Sequence, residues 1–357
     1  MIASASAPQP TVASESSEAR AHHAALRESR HYAHAHDGVA TWQLVSTLAV
    51  FGFALWMVHA LGDSPWRFLM SLPIGGLIVR LFIFQHDCGH NSFFSNHKVN
   101  DAVGLGLSFI TSMAYDAWKQ AHAWHHKHQG KLSHRGIDNL NSPMTVEEAK
   151  SRPQDATRRL AFIRAWKIFV LGVVSILILR RHPKAYFIFW PNFRWNVINR
   201  EKSWRGVHVT NAGWVLFQGL MIWTLGWFNW ATIILPASAI TAGIGTLLFW
   251  IQHNFEDTYY AHDDSWSYAA AGIQGSTYIQ LDPVLNWFTG SIGIHHVHHL
   301  NAGIPNYRLE EARRNIPALA AVRPLSRDQL RKSFTHVFWD EKQGRMVDLE
   351  AVHRATT

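Results

Sequence analysis

Long uncharged apolar runs constrain this chain most. Ala40–Leu61 carries no Lys, Arg, Asp or Glu in 22 residues, enough helix to cross about 30 Å of hydrocarbon. After the turn Gly62–Trp66, with Pro65 suited to a first helical position, a second stretch runs over 65–85. Its late charge, Arg80, is expected to snorkel to an interface. The stretches 208–228 and 230–252 are uncharged again, joined at Asn229. Trp204, Trp223, Trp227, Trp230 and Trp250 fall near the expected ends, as interfacial aromatic belts do. Soluble helices rarely stay uncharged for about 20 residues. The expected fold is therefore an all-α integral membrane protein with four transmembrane helices in two hairpins.

Two apolar stretches, Gly104–Ala114 and Ile168–Leu179, are too short to span and are expected to be buried or interfacial. Seventeen Lys and Arg lie between Trp118 and Val207, and none in Gly62–Trp66 or Phe228–Ala231. Positive charge collects on the cytoplasmic side, so both termini and the long 118–207 connection are expected there. Residues 1–38 are rich in Ala, Ser and His, lack the apolar core of a secretory signal, and are read as a flexible tail with His22, His23, His31, His34 and His36 facing solvent. Residues 39–301 form the membrane domain. Residues 302–357 read as a cytoplasmic region packed over the cap, with a capping box at Ser326 and Gln329 and a small hairpin over Phe338–Asp348 centred on Gly344.

The second constraint is the placing of the histidines. His86-Asp-Cys-Gly-His90, His122-Ala-Trp-His-His126 and His295-His-Val-His-His299 each follow an apolar segment. Helical residues three and four apart share a face, so His86 with His90, His122 with His125 and His126, and His295 with His298 and His299 each point one way. Packing does not require such a pattern, and imidazole is the commonest metal ligand. With four spans all three clusters fall on one side; one more crossing would separate them. Eight imidazoles exceed the demand of one ion and suit two first-row metals, with iron, copper, zinc and nickel all compatible. His253, at the end of the fourth span, is a ninth candidate. Asp87, Asp138, Glu256 and Asp257 are candidates to accept the second ring N–H of a ligating histidine. His97, His128 and His296 fall off the ligand faces.

The lone Cys88 excludes an intrachain disulfide and any multi-cysteine metal site. The formal charge of +8 fits an anionic membrane surface or an acidic partner protein. No nucleic-acid motif is present.

The boxes HDCGH, HAWHH and HHVHH, with WIQHNFEDTYY and HLNAGIPNYRL, resemble the membrane fatty acid desaturases, and most nearly the bacterial acyl-lipid desaturases of the omega-6 (delta-12) type. The resemblance covers about Thr41–Val347. It implies two non-haem irons held by His86, His90, His122, His125, His126, His295, His298 and His299, with His253 matching the family's extra histidine. It also implies a helical cytoplasmic cap over the site and residence in a bacterial inner membrane. The implied reaction uses dioxygen to take one hydrogen from each of two neighbouring methylenes of a long acyl chain, leaving a cis double bond. One departure is Phe249, where stearoyl-CoA desaturases carry an Asn that joins the iron site; this disfavours the acyl-CoA subclass and leaves that ligand position to water or Asn254. There is no His-Pro-Gly-Gly haem motif and no dinucleotide-binding glycine motif, so electrons are expected from an external protein such as an acidic ferredoxin. A long acyl chain needs a shaped apolar tunnel, and Gly75, Gly76, Gly243 and Gly245 are candidates to leave room for it. A hydroxylase on the same scaffold is the nearest alternative. A metal transporter would carry ionisable groups inside its spans, and a haem protein would need only pairs of axial histidines.

Overall fold

The computed structural model describes residues 16–135, 142–178 and 199–354. In chain order its helices are α1 Ser17–Ser29, α2 Asp37–Ala60, α3 Ser71–Gly89, α4 His97–Thr111, α5 Tyr115–His128, α6 Val146–Ser151, α7 Pro153–Phe162 and α8 Ala165–Leu177. They continue with α9 Arg200–Leu225, α10 Trp227–His253, α11 Tyr268–Gln274, α12 Pro283–Phe288, α13 His295–Leu300, α14 Leu309–Asn315, α15 Pro317–Ala320, α16 Arg327–Lys332 and α17 Leu349–Arg354. Pro65–Met70 is a 3-10 turn leading into α3, and Trp230–Ile234 is a π turn inside α10.

Three described helices are long and apolar enough to cross a membrane: Asp37–Ala60, Pro65–Gly89 and Trp227–His253. Their outward faces are apolar. Only 22% of the most apolar window of α2 is buried, and Val45, Phe53 and Trp56 are exposed along it. The third expected span lies within α9, which begins eight residues earlier than the apolar pattern suggested. Its first turns carry Arg200, Glu201, Lys202 and Arg205, outside the uncharged part.

Helix α10 packs between α8 and α3, α3 against α4, and α4 and α5 against α9. The short apolar stretches are α4 and α8, and neither stands alone. Helices α7 and α8 meet at 79°, so α8 leans on α10 while α7 turns away. Leu179 lies outside the described residues.

Two expectations are corrected. The segment before residue 38 is not a solvated tail where it is described. Ser16 caps α1 by accepting from the Ala19 N–H. His22, Ala25 and Ser29 are buried along α1, and Ala25 joins a cluster with Ile273, Val297, Leu300, Ile316 and Leu319. His36 caps α2 by accepting from the Val39 N–H at 3.3 Å. Arg80, in turn, does not reach an interface. It is 4% exposed, donates to Thr47 Oγ1 and to the Trp287 carbonyl, and lies over the Trp287 ring. These contacts hold α12, the segment leading to the third histidine box, against α3.

The C-terminal region has the capping box on Ser326 and Gln329 and the hairpin. Strands β2 Phe338–Asp340 and β3 Arg345–Val347 pair antiparallel around Gly344 at φ 63°. A third strand was not foreseen: β1, Met144–Thr145, pairs parallel with β2. The region is tied to α10 by Trp250, fully buried, whose indole N–H donates to the Ser333 carbonyl at 2.9 Å. Burying such a side chain contributes about 1.5–3 kcal/mol.

Candidate metal centre

The three boxes meet at the C-terminal ends of α3, α5 and α10. The C-terminal end of α3 supplies His86 and His90; α5 supplies His122, His125 and His126; α10 ends on His253; α13 supplies His295, His298 and His299. Box three is a six-residue helix, too short to hold itself. It is fixed by its backbone, where the N–H groups of His295 and His296 both donate to the Thr277 carbonyl at 3.1 Å. Helix α11 presses on it so closely that a Cβ on Gly272 would stand 2.7 Å from the Leu300 Cα.

The rings form two groups. In one, ring nitrogens of His86, His90, His122, His126 and His298 lie within 4.8 Å of one another; in the other, those of His125, His253 and His299 do. His295 Nε2 is 3.1 Å from His253 Nε2 and joins the second. The groups touch through the rings of His126 and His299, stacked at 4.0 Å. All nine candidate histidines are thus brought together.

The donor set fits metal ions. His86 and His122 Nε2 are 3.0 Å apart, His122 and His126 3.1 Å, His126 and His298 3.0 Å, and His125 and His253 3.1 Å. Nitrogens about 2.1 Å from a shared centre and at right angles to it would be spaced by about 3.0 Å. Hydrogen bonding alone does not account for the arrangement. A neutral imidazole nitrogen either donates or accepts, and His90 Nε2 and His299 Nε2 are buried with no hydrogen-bond partner, which is costly without another use. Burial, then repulsion from neighbouring imidazoles, holds His90, His122, His126, His295, His298 and His299 well below the ordinary histidine pKa. They are neutral, the form that binds metal.

Of the four carboxylate candidates, Asp87 takes the expected place. Its Oδ1 is 3.1 Å from His86 Nδ1, and its Oδ2 accepts from the N–H and side-chain amide of Asn306, at 2.7 and 2.9 Å. Glu256 and Asp257 have other partners. The chain turns away after His253, so Glu256 pairs with Lys332 and Arg345 and Asp257 meets Gln329; both secure the C-terminal region. Asp138 lies outside the described residues. His296 points away from both groups, toward the Leu319 carbonyl. Asn306 carried no sequence signal as a site residue, nor did the Gly275 carbonyl, which is 3.2 Å from His253 Nδ1. Partners of this kind typically change metal affinity by about 10–100-fold. Asp87→Asn is accordingly expected to weaken metal retention within that range, measured by chelator competition; unchanged retention would remove Asp87 from the site.

An apolar cavity of about 280 Å³ opens beside the histidines. His86, His122, His125 and His295 face it, with Val79, Phe82, Phe249 and Gly172 among its walls. Of the four glycine candidates only Gly245 lines it. A Cβ there would meet nothing within 4 Å. The others serve close packing: a Cβ would meet the Ala237 carbonyl at Gly75, the Phe288 ring at Gly76 and the Phe169 ring at Gly243. Phe249 packs its ring against His125 and His253.

Known proteins resemble this chain over most of its length. The family model "Fatty acid desaturase" matches residues 63–330. A fatty acid desaturase of Bacillus subtilis is 31% identical over 320 residues, spanning 87% of this chain and 86% of the relative. An sn-1 oleoyl-lipid 12-desaturase of a Picosynechococcus species is 28% identical over 277 residues, 75% of this chain and 74% of the relative. An sn-1 acyl-lipid omega-3 desaturase (ferredoxin) of a Nostoc species is 25% identical over 294 residues, 78% and 74% of the two chains.

Proposed function

The chain belongs to the fatty acid desaturase family, and from that premise we propose that it places a cis double bond in a lipid-borne acyl chain at two irons held by its nine clustered histidines. The observation that carries this reading is the junction of the two imidazole groups with the apolar cavity: four of the nine rings face it.

His86, His90, His122, His126 and His298 would hold one ion, and His125, His253, His295 and His299 the other. When bound, the metal pair supplies oxidation by dioxygen. The balance is two hydrogens from the chain, two electrons and two protons from outside, and two waters from dioxygen. What the protein contributes is placement. An acyl chain has no polar handle near the reacting carbons, so Val79, Phe82, Phe249 and the open face at Gly245 must align it, and a misplacement of about 1 Å costs on the order of a hundredfold. Asp87, held by Asn306, orients His86. Water is excluded by the apolar walls and by Trp118, stacked on His122 at 4.5 Å.

Four spans, with α9 the third, leave every histidine box on one side. The charge of the 118–207 connection supports the cytoplasmic side of a bacterial inner membrane. An external one-electron donor supports turnover. The relative whose name carries ferredoxin and the net charge of +8 favour an acidic ferredoxin. Purified protein is expected to carry about two irons per chain and no haem band, with reporter fusions near Pro143 and at the C-terminus both cytoplasmic. A haem spectrum, or a periplasmic signal at Pro143, would contradict the shared site.

A further inference from the structure

Among the described residues, the cavity has one exposed wall. Of the residues that line it, Phe162 alone is exposed, at 48%. Phe162 is the last residue of α7, at the 79° elbow with α8. The elbow lies at the His253 end of α10, since Ile163 and Ile168 pack with Trp250 whereas Gly172 lies against Ala242 and Thr246. Toward the other end the cavity reaches Thr241, whose hydroxyl donates to the Gly75 carbonyl at 2.8 Å. Thr241 is twelve residues before His253, about 18 Å along the helix at 1.5 Å per residue.

The elbow is cationic and aromatic. Arg164 donates to the carbonyls of Leu160 and Ile163, and Lys167 to that of Ala161. Neither meets a carboxylate among the described residues. Asp155, on α7, is taken by Arg158 at 3.7 Å. Trp166 is 65% exposed beside them, with the Lys167 ammonium 5.5 Å from its ring. Tryptophan at the headgroup level and cations facing a lipid surface are the marks of an interfacial segment. Here they stand beside Phe162, the exposed residue of the apolar cavity's described lining.

We propose that the α7–α8 elbow binds the phosphate of an anionic phosphoglycerolipid through Arg164 and Lys167 while one acyl chain of that lipid enters past Phe162, methyl end toward Thr241. This rests on the desaturase reading and adds the headgroup: the chain is desaturated while still esterified in the bilayer. The cations hold the carboxyl end at the mouth, so the depth of the cavity counts carbons from the headgroup.

The test places the full-length protein in nanodiscs whose lipids carry the same acyl chains on phosphatidylglycerol, phosphatidylcholine or neutral monogalactosyl diacylglycerol, with reductant supplied. Phosphatidylglycerol is expected to be desaturated at least about tenfold faster than either other lipid, given the attraction of each cation for an anionic lipid. In the double variant Arg164→Gln, Lys167→Gln the preference is expected to fall toward one with iron per chain unchanged; Arg164→Lys, Lys167→Arg is expected to restore it. Native mass spectrometry of retained lipid, which needs no turnover, is expected to show phosphatidylglycerol held by the wild type and lost from the glutamine variant. Equal retention of the three lipids, an unchanged preference in that variant, or turnover only on a thioester of coenzyme A or a carrier protein would overturn the assignment. Failure of the desaturase reading looks different: selective retention of phosphatidylglycerol with no double bond in any disc.

Discussion

His298→Ala is expected to abolish turnover while the chain remains in the membrane. His298 is the residue of the third box that enters the five-imidazole group, with Nε2 3.0 Å from His126 Nε2 and its ring 4.4 Å from that of His86. It reaches that group from 172 residues beyond His126, so no local helix geometry replaces it. Loss of groups that merely orient ligands costs about 10–100-fold in metal affinity; loss of a ligand costs more, and iron per chain is expected to fall toward one. The substitution leaves a void rather than an unpaired charge, so the fold, set by α2, α3, α9 and α10, persists. His97→Ala, at an exposed helix start outside both groups, serves as the control and is expected to retain product. Wild-type product from the His298 variant would sink the ligand assignment.

Gly245→Leu carries the second large effect, on selectivity. Gly245 lies eight residues before His253, about 12 Å at 1.5 Å per residue, and borders the cavity with nothing within 4 Å of a Cβ. A leucine there fills substrate space instead of overpacking the protein. The variant is expected to fold and bind iron, to lose rate on long chains, and to shift toward shorter chains or another double-bond position. Gly243→Leu separates the two roles. Its side chain would run into the Phe169 ring, an overpacking that typically costs about 1–3 kcal/mol, so it is expected to lower thermal stability. Unchanged chain-length preference in Gly245→Leu, read by gas chromatography of product lipids, would move the acyl path elsewhere.

Much of the frame was legible because its signals are local. An uncharged run of 22 residues states its own length, and histidines three and four apart declare a shared face without a partner in view. His253 was legible for the same reason, as the polar end of an apolar helix. The misreadings share one cause, a partner far away in sequence. Arg80 looked free to snorkel because Trp287, which holds it, is 207 residues on. Asn306 was invisible because Asp87 is 219 residues back. Helix α1 reads as Ala- and His-rich filler until its buried stripe meets the cluster built from α11, α13 and α15. Glu256 and Asp257 sit beside a ligand in sequence, yet the chain reverses between them and it. Glycines presented the opposite problem: four looked alike, and only the neighbour each would strike distinguishes Gly245 from Gly75, Gly76 and Gly243.

The nine imidazoles would hold the metal pair that oxidises an acyl chain lying in the cavity beside them. Mass spectrometry of membrane lipids from a host expressing the chain, compared with the same host expressing His298→Ala, tests it most directly. Acyl chains lighter by two hydrogens, with one new cis double bond, are expected with the wild type and not with the variant. Acyl chains that instead gain one oxygen, or an unchanged lipid profile in a host whose membranes hold the iron-loaded protein and a working electron donor, would contradict it.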